Sequence, residues 1–217
     1  VIPEAERQSC TAGYGRVTVT TQDGIELHSY FRPPKSVGMP IILIFHGNAS
    51  TAVWKADAMK AYADQGYGVW AAEYRGYDAN PGAPSEEGLY RDAEAYMASE
   101  RLTKTYAQSP LVIFGESLGS GVASEMAHRY PERCAGLILK VPFDSLLTVA
   151  KTRYPFILGM PYLLKDQYRS IEKLENWTMP KLILVAGRDE VVGPDGGRRL
   201  YDAAPEPKKL VVIDNAR

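Results

Sequence analysis

The sequence predicts one α/β domain, in which a mostly parallel sheet carries helices on both faces and opens with an antiparallel hairpin. Three observations lead there. Short, continuously apolar runs alternate with helical segments, as expected of parallel strands buried on both faces. The first two β-rich stretches instead flank Asp23-Gly24, a strong hairpin signal. The 217 residues suit a single domain spanning 1–217 with a sizeable core.

The elements follow in order. Residues 17–21 and 25–31 form the hairpin, which Pro33-Pro34 ends. Residues 41–45 are a buried strand. Trp54, Ala58 and Tyr62 recur at i, i+4 and i+8, predicting a helix buried along that stripe and closed by Gly66. Residues 69–72 form the next strand. Ser85 suits a helix cap, and Glu86 and Glu87 suit the positive helix end behind it. A strand at 111–114 leads into a helix striped by Val122, Met126 and Tyr130, stopping near Pro131. Strands at 137–141, 182–186 and 210–213 complete the sheet. Residues 142–176 are longer than one crossover helix requires and carry Phe143, Tyr154, Phe156, Tyr162 and Tyr168. They read either as a small lid between strands or as an irregular crossover packed on the core.

Composition excludes several classes. With 45% hydrophobic and 24% charged residues and a net charge of −1, the chain has no basic surplus for nucleic acid or an acidic membrane surface. Cys10 and Cys134 make neither a disulfide framework nor a zinc pattern, so no metal is expected. No run approaches the roughly 18 apolar residues of a membrane span. Because the chain opens on Val1, membrane contact is expected only through an N-terminal segment already removed. That leaves localisation open between cytoplasmic and anchored or exported.

Gly115-Glu116-Ser117-Leu118-Gly119 fits the G-x-S-x-G nucleophile elbow. Five residues with three fixed positions say little alone; the context carries the weight. The motif directly follows an apolar strand and directly opens a helix. Such a turn lifts the Ser117 hydroxyl above the sheet, and the backbone N–H of Leu118 at the helix start can face a developing oxyanion. The alternative is a plain Gly/Ser turn.

Further pieces surround it: Phe45-His46-Gly47-Asn48-Ala49, Glu73-Tyr74-Arg75-Gly76-Tyr77, Pro84-Ser85-Glu86-Glu87-Gly88, Asp166/Tyr168/Ser170 and Gly187-Arg188-Asp189-Glu190-Val191-Val192. Together they resemble the α/β-hydrolase superfamily, and within it small, short-lidded serine hydrolases that include esterases and depalmitoylases. The resemblance implies a serine esterase or related acyl hydrolase, acting on a small ester or acyl substrate without a cofactor. It implies that the backbone N–H of Asn48 is the second oxyanion donor, with His46 bracing that turn. It places the triad acid at Asp189, with Asp144 as runner-up; the plainer reading of Asp189 is a helix cap, a task for which Asp195 competes. Arg75 and Tyr77 are implied to shape the turn after their strand.

One member of the pattern is missing. The resemblance places the histidine after the last strand, yet Asp214-Asn215-Ala216-Arg217 ends the sequence. His28 lies in the opening hairpin, His46 in the oxyanion turn, and His128 about 200° round its helix from Met126, which predicts a solvent-facing ring. The expectation is a chain that stops short of a longer protein, lacking its final helix, with the histidine just after Arg217. The competing expectation is a catalytically inactive ligand-binding module.

Overall fold

The computed structural model describes residues 2–154, 156 and 163–216. Eight strands form one sheet: β1 (Gly15–Thr20), β2 (Glu26–Arg32), β3 (Ile41–Phe45), β4 (Gly68–Ala71), β5 (Leu111–Glu116), β6 (Gly136–Lys140), β7 (Lys181–Ala186) and β8 (Lys208–Ile213). Their order is β1-β2-β4-β3-β5-β6-β7-β8. β1 and β2 are antiparallel, β2 is antiparallel to β4, and every later pair is parallel. The hairpin turns where expected. Gly24 adopts φ +83°, and Thr21 closes the loop by exchanging backbone bonds with Ile25 and Gly24.

All five residues of β3 are buried, which puts the apolar run at the sheet centre. On one face α4 (Glu86–Ala98) and α5 (Leu118–Arg129) pack Leu89, Ala93, Met97, Val122 and Met126 against Leu43, Trp70 and Ile113. Each Leu, Val, Ile or Met side chain among these contributes roughly 1.5–3 kcal/mol by leaving water. Ser85 caps α4, its Oγ accepting the Gly88 N–H at 3.1 Å. On the same face α7 (Pro194–Ala203) contributes Leu200.

The other face carries α1 (Glu4–Cys10), α2 (Ala52–Ala58) and α3 (Lys60–Asp64). Here the expected stripe is corrected. The single helix is two, parted at Met59, and Trp54 and Tyr62 are 42% and 48% exposed. Ala52, Val53 and Ala56 make the buried face, because small side chains let α2 lie close on β2 and β4. Further along this face Ile138, Leu182, Leu184 and Val211 are only half-buried, and no helix follows β8 among the described residues.

The stretch 142–176 divides. Phe143 and Tyr168 belong to the core, Tyr168 lying across Gly121 of α5 and edge-on to Tyr90. Asp166 accepts the Glu86 N–H at the start of α4. α6 (Leu146–Arg153) buries no residue, and Tyr154, Phe156 and Leu163 are exposed. Residues 155 and 157–162, with Tyr162, lie outside the described residues, so the lid reading rests on the flanks alone.

Candidate active site

β5 passes into α5 through Ser117 alone, at φ 50° and ψ −117°. A non-glycine residue in the left-handed region costs of order 1–3 kcal/mol and persists only where its surroundings fix it. Here the Ser117 N–H donates to the Lys140 carbonyl at 3.0 Å, and its carbonyl accepts the Ser120 N–H at 2.8 Å. The flanking glycines permit the fit. A Cβ on Gly115 would stand 2.4 Å from the Gly119 carbonyl oxygen, and one on Gly119 only 2.1 Å from that of Phe45. Leu118 is the first helical residue, so its N–H is not required by the helix ladder.

The turn after β3 lies against this elbow. A Cβ on Gly47 would come within 3.3 Å of the Ser117 Cβ, which places Gly47-Asn48 beside the nucleophile position. His46 is fully buried beneath: its Nδ1 donates to the Gly47 carbonyl at 2.8 Å, and its Nε2 is 2.5 Å from Glu73 Oε1. Glu73 Oε2 in turn accepts the Ala52 N–H at the start of α2. With both ring nitrogens engaged in the loop, His46 is a brace. Tyr77 donates its hydroxyl to Asn48 Oδ1 at 2.5 Å. Arg75 turns away from the site to join Asp92 and Asp23.

Between these parts sits an ion triad. Glu116, next to Ser117, pairs with Lys55 of α2 and with Lys140, whose carbonyl holds the Ser117 N–H. Burial pushes the Glu116 carboxyl up, but Lys140 and Lys55 outweigh it and hold it below its ordinary value of 4.5.

Asp189 follows β7, two strands from β5. Its Oδ1 accepts the Val191 and Val192 N–H groups at 2.8 and 2.9 Å, while Oδ2 has no hydrogen-bond partner among the described residues. Asp144 is committed elsewhere, accepting from the Ser145 N–H and from Arg199 Nε, each within 2.8 Å. Asp195 is exposed in the first turn of α7. The chain after β8 returns to this loop: Gly187 N–H donates to Ile213 O and Arg188 N–H to Ala216 O. His28 bonds Thr18 in the hairpin. His128 departs from expectation: it is half-buried, because the 3₁₀ turn Ser170–Asn176 covers it and the Lys173 carbonyl lies 3.2 Å from its Nδ1.

The structure thus joins Ser117, Leu118 and the Asn48 turn, and brings Asp189 to the same end of the sheet without contact to Ser117. Sequence reasoning missed Glu73, the Lys55–Glu116–Lys140 triad and the Tyr77–Asn48 bond. Glu73, Glu116, Tyr77 and Asn48 stood in quoted motifs, but Lys55 and Lys140 carried no signal. A cavity of about 710 Å³ opens between β1 and α4 around Val19, Trp70 and Arg91, and does not include Ser117. Among the described residues no cluster of His, Cys, Asp or Glu could hold a metal ion, and no helix is long and apolar enough to cross a membrane.

A family model described as "Serine aminopeptidase, S33" matches residues 39–146. An uncharacterized protein of Mycobacterium tuberculosis is 40% identical over 200 residues, covering 91% of this chain and 69% of that protein. The chain belongs to the α/β-hydrolase superfamily. Another relative is the lysophosphatidylserine lipase ABHD12 of Danio rerio, 32% identical over 79% of this chain and 49% of that protein. Among solved structures, an α/β-hydrolase from Vibrio vulnificus superposes with a TM-score of 0.79 at 21% identity, covering all of this chain and 81% of its own. The Pyrococcus furiosus esterase Pf2001 gives 0.77 at 17% identity over 99% and 88%. At such identities these two show the fold alone, and it is the α/β-hydrolase fold. By family, this α/β-hydrolase member is a hydrolase.

Proposed function

We propose that the protein cleaves carboxylic ester or thioester bonds through an acyl-enzyme on Ser117. The observation that carries this reading is the left-handed Ser117 between β5 and α5, with the Gly47-Asn48 turn against it. Ser117 Oγ attacks the carbonyl carbon and passes its proton to a histidine; the carbonyl oxygen becomes an oxyanion held by the backbone N–H groups of Asn48 and Leu118. Collapse expels the alcohol or thiol, which takes the proton from the histidine. Water, deprotonated by the same imidazole, then releases the acid and restores Ser117. Asp189 orients the imidazole through its free Oδ2. The proposal puts that histidine just after Arg217; the bond from the Arg188 N–H to Ala216 O, which brings the chain past β8 against the Asp189 loop, supports this reading. That one relative is a lysophosphatidylserine lipase favours an ester-type substrate. No step calls for a cofactor, a metal or nucleic acid.

The test is fluorophosphonate labelling of the full-length encoded protein. Wild type should label and hydrolyse short acyl esters, and Ser117→Ala should do neither. A full-length wild type that refuses the probe, or a Ser117→Ala protein that labels equally, would overturn the reading and favour the ligand-binding alternative.

A further inference from the structure

The turn after β4 has an unusual anchor. Asp78 holds φ +48° with no glycine to permit it. Its carboxylate is gripped by Arg7 of α1, whose two guanidinium nitrogens donate to Oδ2 at 2.6 Å and Oδ1 at 2.8 Å. The same guanidinium donates to the Tyr30 hydroxyl at 3.1 Å. A bidentate guanidinium–carboxylate pair fixes direction as well as distance. Arg7 holds the Asp78 carboxyl below the usual carboxylate range, so the pair stays ionised at neutral pH.

α1 is itself clamped. Trp54 of α2 donates its indole N–H to Glu6 at 3.0 Å, and Ile2 and Cys10 pack against the cluster of Ala52, Val53 and Ala56. The N-terminal helix therefore ties α2, which begins just beyond the oxyanion turn, to the 74–80 turn.

Tyr77 is the residue beside Asp78. Its backbone is closed on both sides, the N–H donating to Tyr74 O and the carbonyl accepting the Asn80 N–H. Its ring stands edge-on to the buried His46 ring, with centroids 5.3 Å apart. With backbone and ring so constrained, its hydroxyl donates to the Asn48 side chain, its one hydrogen-bond partner among the described residues.

We propose that Tyr77 is a positioning residue for the oxyanion turn: held by the Arg7–Asp78 latch, its hydroxyl fixes the Asn48 side chain and so aims the Asn48 backbone N–H at the Ser117 site. This rests on the acyl-hydrolase reading above and deepens it. The N-terminal helix becomes part of the catalytic apparatus although none of its side chains meets the reacting atoms.

A double-mutant cycle on the full-length protein tests it, reading the fluorophosphonate labelling rate and kcat and KM on p-nitrophenyl butyrate. Deleting an oxyanion donor outright costs about 10²–10³ in turnover; misaiming one should cost about 10- to 100-fold. Tyr77→Phe and Asn48→Ala, which keeps its backbone N–H, should each lose that much in labelling rate and kcat, with KM changed less than about twofold. The double variant should be no worse than the poorer single, and Arg7→Gln should lose several-fold in wild type but nothing further in Tyr77→Phe. A Tyr77→Phe protein within twofold of wild type, or single effects that multiply, overturns the proposal while leaving the Ser117 reading intact. Should Tyr77→Phe fail to fold, Asn48→Ala and Arg7→Gln form the same cycle. An unlabelled wild type overturns both.

Discussion

Gly119→Ala is the sharpest test of how Ser117 is mounted. The new methyl would stand 2.1 Å from the Phe45 carbonyl oxygen, 2.5 Å from its carbon and 2.7 Å from the His46 oxygen. Ordinary carbon–oxygen contacts begin near 3.3 Å, so α5 and β3 must part by more than about 1 Å. Neither side can yield by rotating a side chain, since all three atoms are backbone of the fully buried central strand or the residue following it. Overpacking commonly costs about 1–3 kcal/mol, and a backbone obstacle belongs at or above the top of that range. Alanine's better helix propensity returns about 1 kcal/mol. A net loss of about 2–4 kcal/mol is expected, a fall of roughly 5–15 °C in melting temperature for a domain this size. Because the Leu118 amide moves with Gly119, the labelling rate should drop at least about tenfold. Gly24→Ala is the control: its Cβ would meet nothing within 4 Å, so it pays only for φ +83° and leaves labelling alone. A Gly119→Ala protein melting within about 2 °C of wild type and labelling within about twofold would refute the close-approach argument.

Three other substitutions give distinct outcomes. Under the proposed mechanism, Asp189→Asn keeps an oxygen for the Val191 and Val192 amides but loses the charge proposed to face the imidazole, so kcat of the full-length protein should fall by on the order of 10⁴ with little change in melting. Asp144→Asn should do the reverse, losing about 1–2 kcal/mol of stability with the Arg199 pair and keeping activity within several-fold; steady-state kinetics beside urea melts would expose an inverted ranking. For Glu116→Gln the prediction is a pH profile. The folded pKa is depressed, so the stabilisation is complete above the unfolded value and is lost as pH falls through the folded one. The urea-midpoint gap between wild type and variant should therefore hold constant above about pH 5 and close on further acidification; a gap unchanged down to about pH 3 would contradict the triad.

Strands and the elbow were legible because their signals are contiguous. The apolar runs, Asp23-Gly24 and Gly115–Gly119 each lie within a few residues, where local sterics decide the outcome. The Trp54/Ala58/Tyr62 stripe misled because hydrophobicity was read as burial. α2 packs by smallness instead, and its aromatic residues stay outside. His128 was placed by its own helix alone, whereas a turn some 45 residues later covers it. The hidden parts of the candidate site are all long-range pairings: His46 with Glu73 is 27 residues apart, Lys55 with Glu116 is 61, and Arg7 with Asp78 is 71. No periodicity announces a partner at such separations; only the folded topology brings them together.

The contrast between β3 and α6 divides the molecule by how readily its backbone opens. Amides in the wholly buried central strand can meet solvent only when much of the sheet comes apart, whereas α6, held to the core only through the half-buried Leu146 and Val149, can unwind at smaller cost. The helix following β6 can therefore open locally while the β5–α5 junction that mounts Ser117 keeps its shape, so disturbing one need not disturb the other.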